Sequence, residues 1–191
     1  KDLTLRGNLS EEEMIEVKKN LALDYWEAGS YESAERYLNE LKSNKLVFAW
    51  TIPYLLKIYE ERKDWQRAIA LYSESKLGSS KQGKIRMARY KVNHGNNVAR
   101  DGDEKAGRII FKEAIKLDKT CAEAYLALGD SYLREDRASD AIAAWTDLCK
   151  VVPEKAYIAF ERLEKALYEK GQFSKIEELY SGILSENEDD N

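Results

Sequence analysis

Acid–base, nucleophilic or metal chemistry would need His, Cys or paired carboxylates held at one point, and this sequence offers few starting places. His94 is the sole histidine, and Cys121 and Cys149 are the sole cysteines. The two thiols form no CxxC pair, so neither a metal-ligand set nor a disulfide framework is expected. Reduced cysteines packed on helices fit the pattern better. The phosphate-binding GxxxxGK[ST], dinucleotide-binding GxGxxG and nucleophile-elbow GxSxG motifs are absent. No catalytic residue, no metal and no cofactor is therefore expected, and a small-molecule ligand is not favoured. The 35 acidic residues are interspersed with 31 basic ones, net −4, which reads as a solvated mixed surface. That balance argues against nucleic-acid binding. The remaining chemistry is recognition by Arg, Lys, Trp and Tyr on helix faces.

The elements carrying those side chains follow from the apolar pattern. Hydrophobic residues make up 43% of the 191, with only 2 Pro and 10 Gly, which favours long helices over sheet. No apolar run approaches the roughly 20 residues of a membrane helix. Trp65, Ala68 and Tyr72 share their spacing with Tyr31, Ala34 and Leu38, with Ala138, Ala141 and Trp145, and with Phe173, Ile176 and Tyr180. Ala34, Ala68, Ala141 and Ile176 stand 34, 73 and 35 residues apart. The long gap hides one more copy at Ala99–Asp118, whose small residue is either Ala106 or Gly107. Five repeats are expected, starting near Ile15, Ala49, Ala88, Ala122 and Tyr157. The longer third step is assigned to a stretched loop at Leu77–Lys84, LGSSKQGK. Gly129 and Ala141 lack bulk, so two helices can approach there, and Trp65 is expected to wedge its turn. Ser10 with Glu13 spells a capping box, with Asn8 the other candidate cap. Pro53 predicts that its helix starts at about Trp50–Thr51 or bends. Residues 1–14 are read as an N-terminal segment with a helix cap, 15–184 as the array, and 185–191, SENEDDN, as an acidic disordered tail.

A period near 34 resembles the tetratricopeptide repeat, a helix–turn–helix unit. Tyr125, Leu128, Gly129, Tyr132, Ala141, Trp145 and Pro153 fall at that family's motif positions. The resemblance implies an all-α tetratricopeptide solenoid, a right-handed superhelix of about five units, with a concave groove lined by the first helix of each repeat. The groove positions are then Lys19, Trp26, Trp50, Lys57, Arg89, Asn96, Arg100, Arg134, Lys165 and Tyr168, with Glu60, Glu61, Glu123 and Asp130 among them. Such a groove suits a protein or peptide partner, an acidic and partly apolar segment met with two-signed complementarity. Arg67 and Lys112 fall on second helices and are expected to face away.

Three stretches, LALDYWEAGSYESAERYLNEL, LLKIYEERKDWQRAIALY and KIRMARYKVN…DGDEKAGRIIFKEAIKLD, resemble the middle of the lipopolysaccharide assembly protein B family. That resemblance implies a cytoplasmic adaptor array that regulates lipid A synthesis by coupling a membrane protease to a deacetylase. In that family a membrane helix precedes the array and a CxxC metal domain follows it. This chain begins at Lys1 rather than Met, carries neither, and reads as a cut-out middle with no membrane insertion of its own. A general scaffold in another envelope or secretion assembly is the alternative.

Overall fold

The computed structural model describes residues 9–188, with side chains throughout except at 179 and 182–188. Ten α-helices and no strand occur among them: α1 Glu11–Glu27, α2 Tyr31–Lys42, α3 Phe48–Glu61, α4 Trp65–Glu74, α5 Lys81–Arg100, α6 Glu104–Leu117, α7 Ala122–Arg134, α8 Ala138–Val151, α9 Tyr157–Glu169 and α10 Phe173–Glu188. The chain divides into two compact units at Leu77/Gly78, α1–α4 in the first and α5–α10 in the second.

Every helix pair is closed by the same backbone device. Gly29, Lys63, Gly102, Asp136 and Gly171 all have positive φ, and they stand 34, 39, 34 and 35 residues apart. In each turn this residue's N–H donates three residues back: Gly29 to Trp26, Lys63 to Glu60, Gly102 to Ala99, Asp136 to Leu133 and Gly171 to Tyr168. The next N–H reaches five residues back, from Ser30, Asp64, Asp103, Arg137 and Gln172 to Tyr25, Tyr59, Val98, Tyr132 and Leu167. This left-handed cap satisfies carbonyls that the helix end would otherwise leave unpaired. Asp64 and Asp103 follow it directly and accept from Arg67 N–H at 3.2 Å and Ala106 N–H at 2.8 Å, so one helix stops and the next is capped within two residues. The five turns mark five repeats, each with a first helix A and a second helix B.

The expected capping box is present: Ser10 accepts from Glu13 N–H at 3.2 Å and Ser10 N–H donates to the Glu13 carboxylate at 2.8 Å. Asn8 lies outside the described residues. Elsewhere the structure departs from the expectations. The long third step is not a stretched loop. Ser80 caps α5 by accepting from Gly83 N–H at 2.9 Å, and the extra residues lengthen α5 to 20 residues. Of the two outcomes expected at Pro53, the late start is not taken: α3 starts at Phe48, ahead of Trp50, and carries Pro53 inside it. Pro53 is the sixth residue of α3, so the bond it cannot make falls in the helix's second turn. Trp65 is half-buried at the first position of α4, whereas Ala68, Leu71 and Tyr72 are the buried residues of that helix. α10 runs on to Glu188, into the segment read as a tail, and residues 189–191 lie outside the described range.

The tightest packing lies where A crosses B. A Cβ at Gly129 would stand 2.2 Å from Trp145 Nε1, and one at Gly95 2.6 Å from Phe111 Cε1. Trp145 and Phe111 are fully buried. Gly95 and Gly129 occupy the same repeat position, and so do Phe111 and Trp145. Gly107 rather than Ala106 is the small residue of the third repeat: it is buried, and its Cβ would meet Ala99 Cβ and Gly95 O at 3.0 Å.

Neighbouring repeats within a unit are tied by ion pairs of opposite polarity at equivalent positions. In the first unit Glu35 of α2 accepts from Arg62 at 2.5 Å and Arg67 at 2.8 Å. In the second, Arg108 of α6 binds Glu135 at 2.8 Å and donates to Ser131 at 3.2 Å. Glu35 matches Arg108, and Arg62 matches Glu135. Arg67 is therefore a structural ligand of Glu35 and not an idle outward cation, while Lys112 lies 5.8 Å from the Tyr132 ring centre.

Gly129→Leu forces a branched side chain into the space of a fully buried ring, so a loss of about 1–3 kcal/mol is expected, read as a lower urea midpoint; an unchanged midpoint would refute the crossing. Trp145→Ala is expected to cost roughly 3–5 kcal/mol and Trp65→Ala distinctly less. Equal losses in the two melts would contradict the burial difference.

Candidate functional site

In the first unit three expected groove residues are joined through Tyr54 and Trp50. Trp26 of α1 packs edge-on against Tyr54 of α3, with centroids 5.6 Å apart at 82°. Trp50, one helical turn before Tyr54, lies 5.0 Å from it. The Lys19 ammonium stands 5.3 Å from the Trp50 ring centre and 3.0 Å from Glu16. The Trp26 indole N–H is buried without an acceptor. Lys57 is set apart, paired with Glu61 at 2.7 Å. The sequence reading missed Tyr54, although its place one turn after Trp50 on the same helix was a usable signal.

In the second unit Arg89 and Asn96 are exposed on α5. Arg100, also exposed, donates to Asn97 Oδ1 at 3.0 Å. Arg134 is already committed: its guanidinium grips Glu104 of α6 through Nε and Nη2. Tyr168 is 66% exposed and meets Phe173 edge-on at 5.3 Å. Lys165 lines a depression of about 490 Å³ between α7 and α9, together with Asp130, Leu133, Asp136, Glu161, Arg162 and Glu169. There Arg162 donates to both Asp130 oxygens, at 2.8 and 3.3 Å.

The residues that opened the search for chemistry stay apart. No cluster of three or more His, Cys, Asp or Glu that could hold a metal occurs among the described residues. Burial pushes the Cys121 thiol up to about 11 and raises Cys149 in the same direction, which leaves both as unreactive thiols at neutral pH. No helix among the described residues is long and apolar enough to cross a membrane.

The carboxylate that holds Arg134 is shifted. The Arg134 hydrogen bond holds Glu104 below its ordinary 4.5, with Ser131 helping and burial opposing. A carboxyl depressed in the folded state stabilises the fold above pH 4.5, and that contribution is lost as pH falls through the lower folded value. Glu104→Gln is therefore expected to lower the urea midpoint at pH 7, with the gap from the parent closing as the pH is taken below 4.5. A gap independent of pH would contradict this.

No family model matches the chain. Lipopolysaccharide assembly protein B of Escherichia coli K12 is 22% identical over 182 residues, which cover 95% of this chain and 46% of that protein. The chain thus spans about half the length of the curated relatives it matches. Among solved structures, the crystal structure of MamA protein superposes with a TM-score of 0.55 at 18% identity, covering 91% of this chain and 92% of that one. A tetratricopeptide repeat protein from Parabacteroides merdae ATCC 43184 superposes with a TM-score of 0.50 at 18% identity, covering 90% and 66%. Five equivalent turns, a period near 34 residues and these superpositions agree: the chain has the tetratricopeptide-repeat fold.

Proposed function

We propose that the chain is a non-catalytic scaffold that holds protein partners on the exposed faces of its A helices. The run of contacts from Lys19 to Trp50, from Trp50 to Tyr54 and from Tyr54 to Trp26 carries the reading. Aromatic rings with a cation beside them on a scaffold face supply contact area at little entropic cost. Arg89, Asn96, Arg100, Lys165 and Tyr168 continue the same set of repeat positions in the second unit. In each unit taken by itself, the partner meets the concave side that its own A-helix positions line. The likeness to lipopolysaccharide assembly protein B supports a finer reading: a cytoplasmic adaptor array, in a protein anchored on that side of the membrane, that regulates lipid A synthesis through a membrane protease.

Affinity capture from the source cell, read by mass spectrometry, tests this. Arg89→Glu with Arg100→Glu is expected to abolish capture and leave the helical melt intact. Lys116→Glu with Lys150→Glu, exposed on B helices, is expected to change little. Capture lost only with the B-helix pair would overturn the groove. Recovery of other envelope or secretion components, with no protease or lipid A enzyme, would replace the adaptor reading with a general scaffold.

A further inference from the structure

We propose that the depression between α7 and α9 takes a basic side chain of the partner, flanked by an apolar one; this rests on the scaffold reading above and deepens it. The volume of about 490 Å³ is that of a small recognition pocket. Its charge is unbalanced. Asp130 is spent on Arg162, whose Nε and Nη2 it receives at 2.8 and 3.3 Å, while a third guanidinium contact goes to the Ile158 carbonyl at 3.4 Å. Asp136, Glu161 and Glu169 line the depression as well, with Lys165 the cation outside that pair, and all four are exposed; Glu161 also feels the Arg162 charge, but four acids line the depression against two cations. Glu161 and Glu169 form no ion pair among the described residues.

Leu133 adds the apolar part. It is 38% exposed and lines the same depression. A Lys or Arg entering here meets carboxylates that need no rearrangement to receive it, because the local Arg162 is already held. An apolar neighbour on the partner covers Leu133. A carboxylate would meet a lining of four acids and two cations, and like charges discriminate against a wrong partner. This end of the A-helix series therefore has the opposite preference to α5, whose exposed Arg89 and Arg100 call for acids. One partner segment can satisfy both by carrying acidic and basic residues at separate places.

The test uses two fluorescein-labelled peptides of equal length and leucine content, one with Lys and Arg and the other with Glu and Asp at the same places. Each is titrated with the full chain at low salt and followed by anisotropy. The basic peptide is expected to bind about tenfold more tightly or better. Glu161→Lys with Glu169→Lys is expected to remove that preference, and Leu133→Ser to weaken the basic peptide, with helical melts unchanged because all three side chains are exposed. Preference for the acidic peptide overturns the charge assignment. A basic preference that survives the double substitution overturns the location. Binding of neither peptide overturns the pocket altogether. In all three cases cellular capture that is still lost with Arg89→Glu and Arg100→Glu leaves the scaffold reading standing, whereas capture indifferent to that pair defeats the scaffold reading separately.

Discussion

In the third and fourth repeats the distance between the A helix and its B helix is set by an aromatic ring lying against bare backbone. At Gly129 and Gly95 even a single methyl would stand inside the Trp145 or Phe111 ring. In an interior packed like an organic crystal there is no slack to absorb that. Once the two helices touch at this point, their separation is fixed and the linking turn has to reverse the chain in very few residues. The left-handed residue that recurs in every turn, from Gly29 to Gly171, answers that demand. Other repeats fill the same crossing with different shapes: Ala22 with Leu38, and Leu56 with Tyr72, all buried. In the last repeat Glu164 stands at the glycine position and accepts a hydrogen bond from Tyr180 at 3.2 Å, so polar contact replaces close approach there.

The links between repeats obey a different rule. Glu35 with Arg62, and Arg108 with Glu135, occupy matching positions with the signs exchanged. A buried or half-buried ion pair contributes little net stability after desolvation. It does penalise wrong neighbours, because a repeat edge bearing Glu35 set against one bearing Glu135 would oppose two acids. The three cations around Tyr132, from Arg108, Lys112 and Arg137 at 5.0, 5.8 and 4.5 Å, belong to the same junction.

These structural pairs determine which charges remain for recognition. Arg134 and Arg67 look like free cations in the sequence, yet both hold a carboxylate of an adjoining repeat. Arg89, Arg100 and Lys165 are exposed, and acids outnumber cations in the depression that Lys165 lines. The electrostatic character of each A helix is thus what is left after the repeats have been joined.

Repeat number, helix pairing and the close approach at Gly129 were legible in the sequence. They rest on local features that recur at a fixed period: small residues, apolar stripes and turn residues act within one repeat, so periodicity exposes them. The lengthened α5 was not legible, because a polar LGSSKQGK stretch suits a loop or a serine-capped helix equally well, and packing decides between them. Nor was the choice of Gly107 over Ala106, which depends on which residue meets Gly95 and Ala99. Least legible was the state of each charge. The pairs Glu35–Arg67, Glu104–Arg134 and Asp130–Arg162 join residues about a repeat length apart, and a sequence specifies which ions are present without specifying which are already partnered. That was decided by the tertiary structure, since ion pairing depends on distances of a few ångströms that only the stacking of one repeat on the next creates.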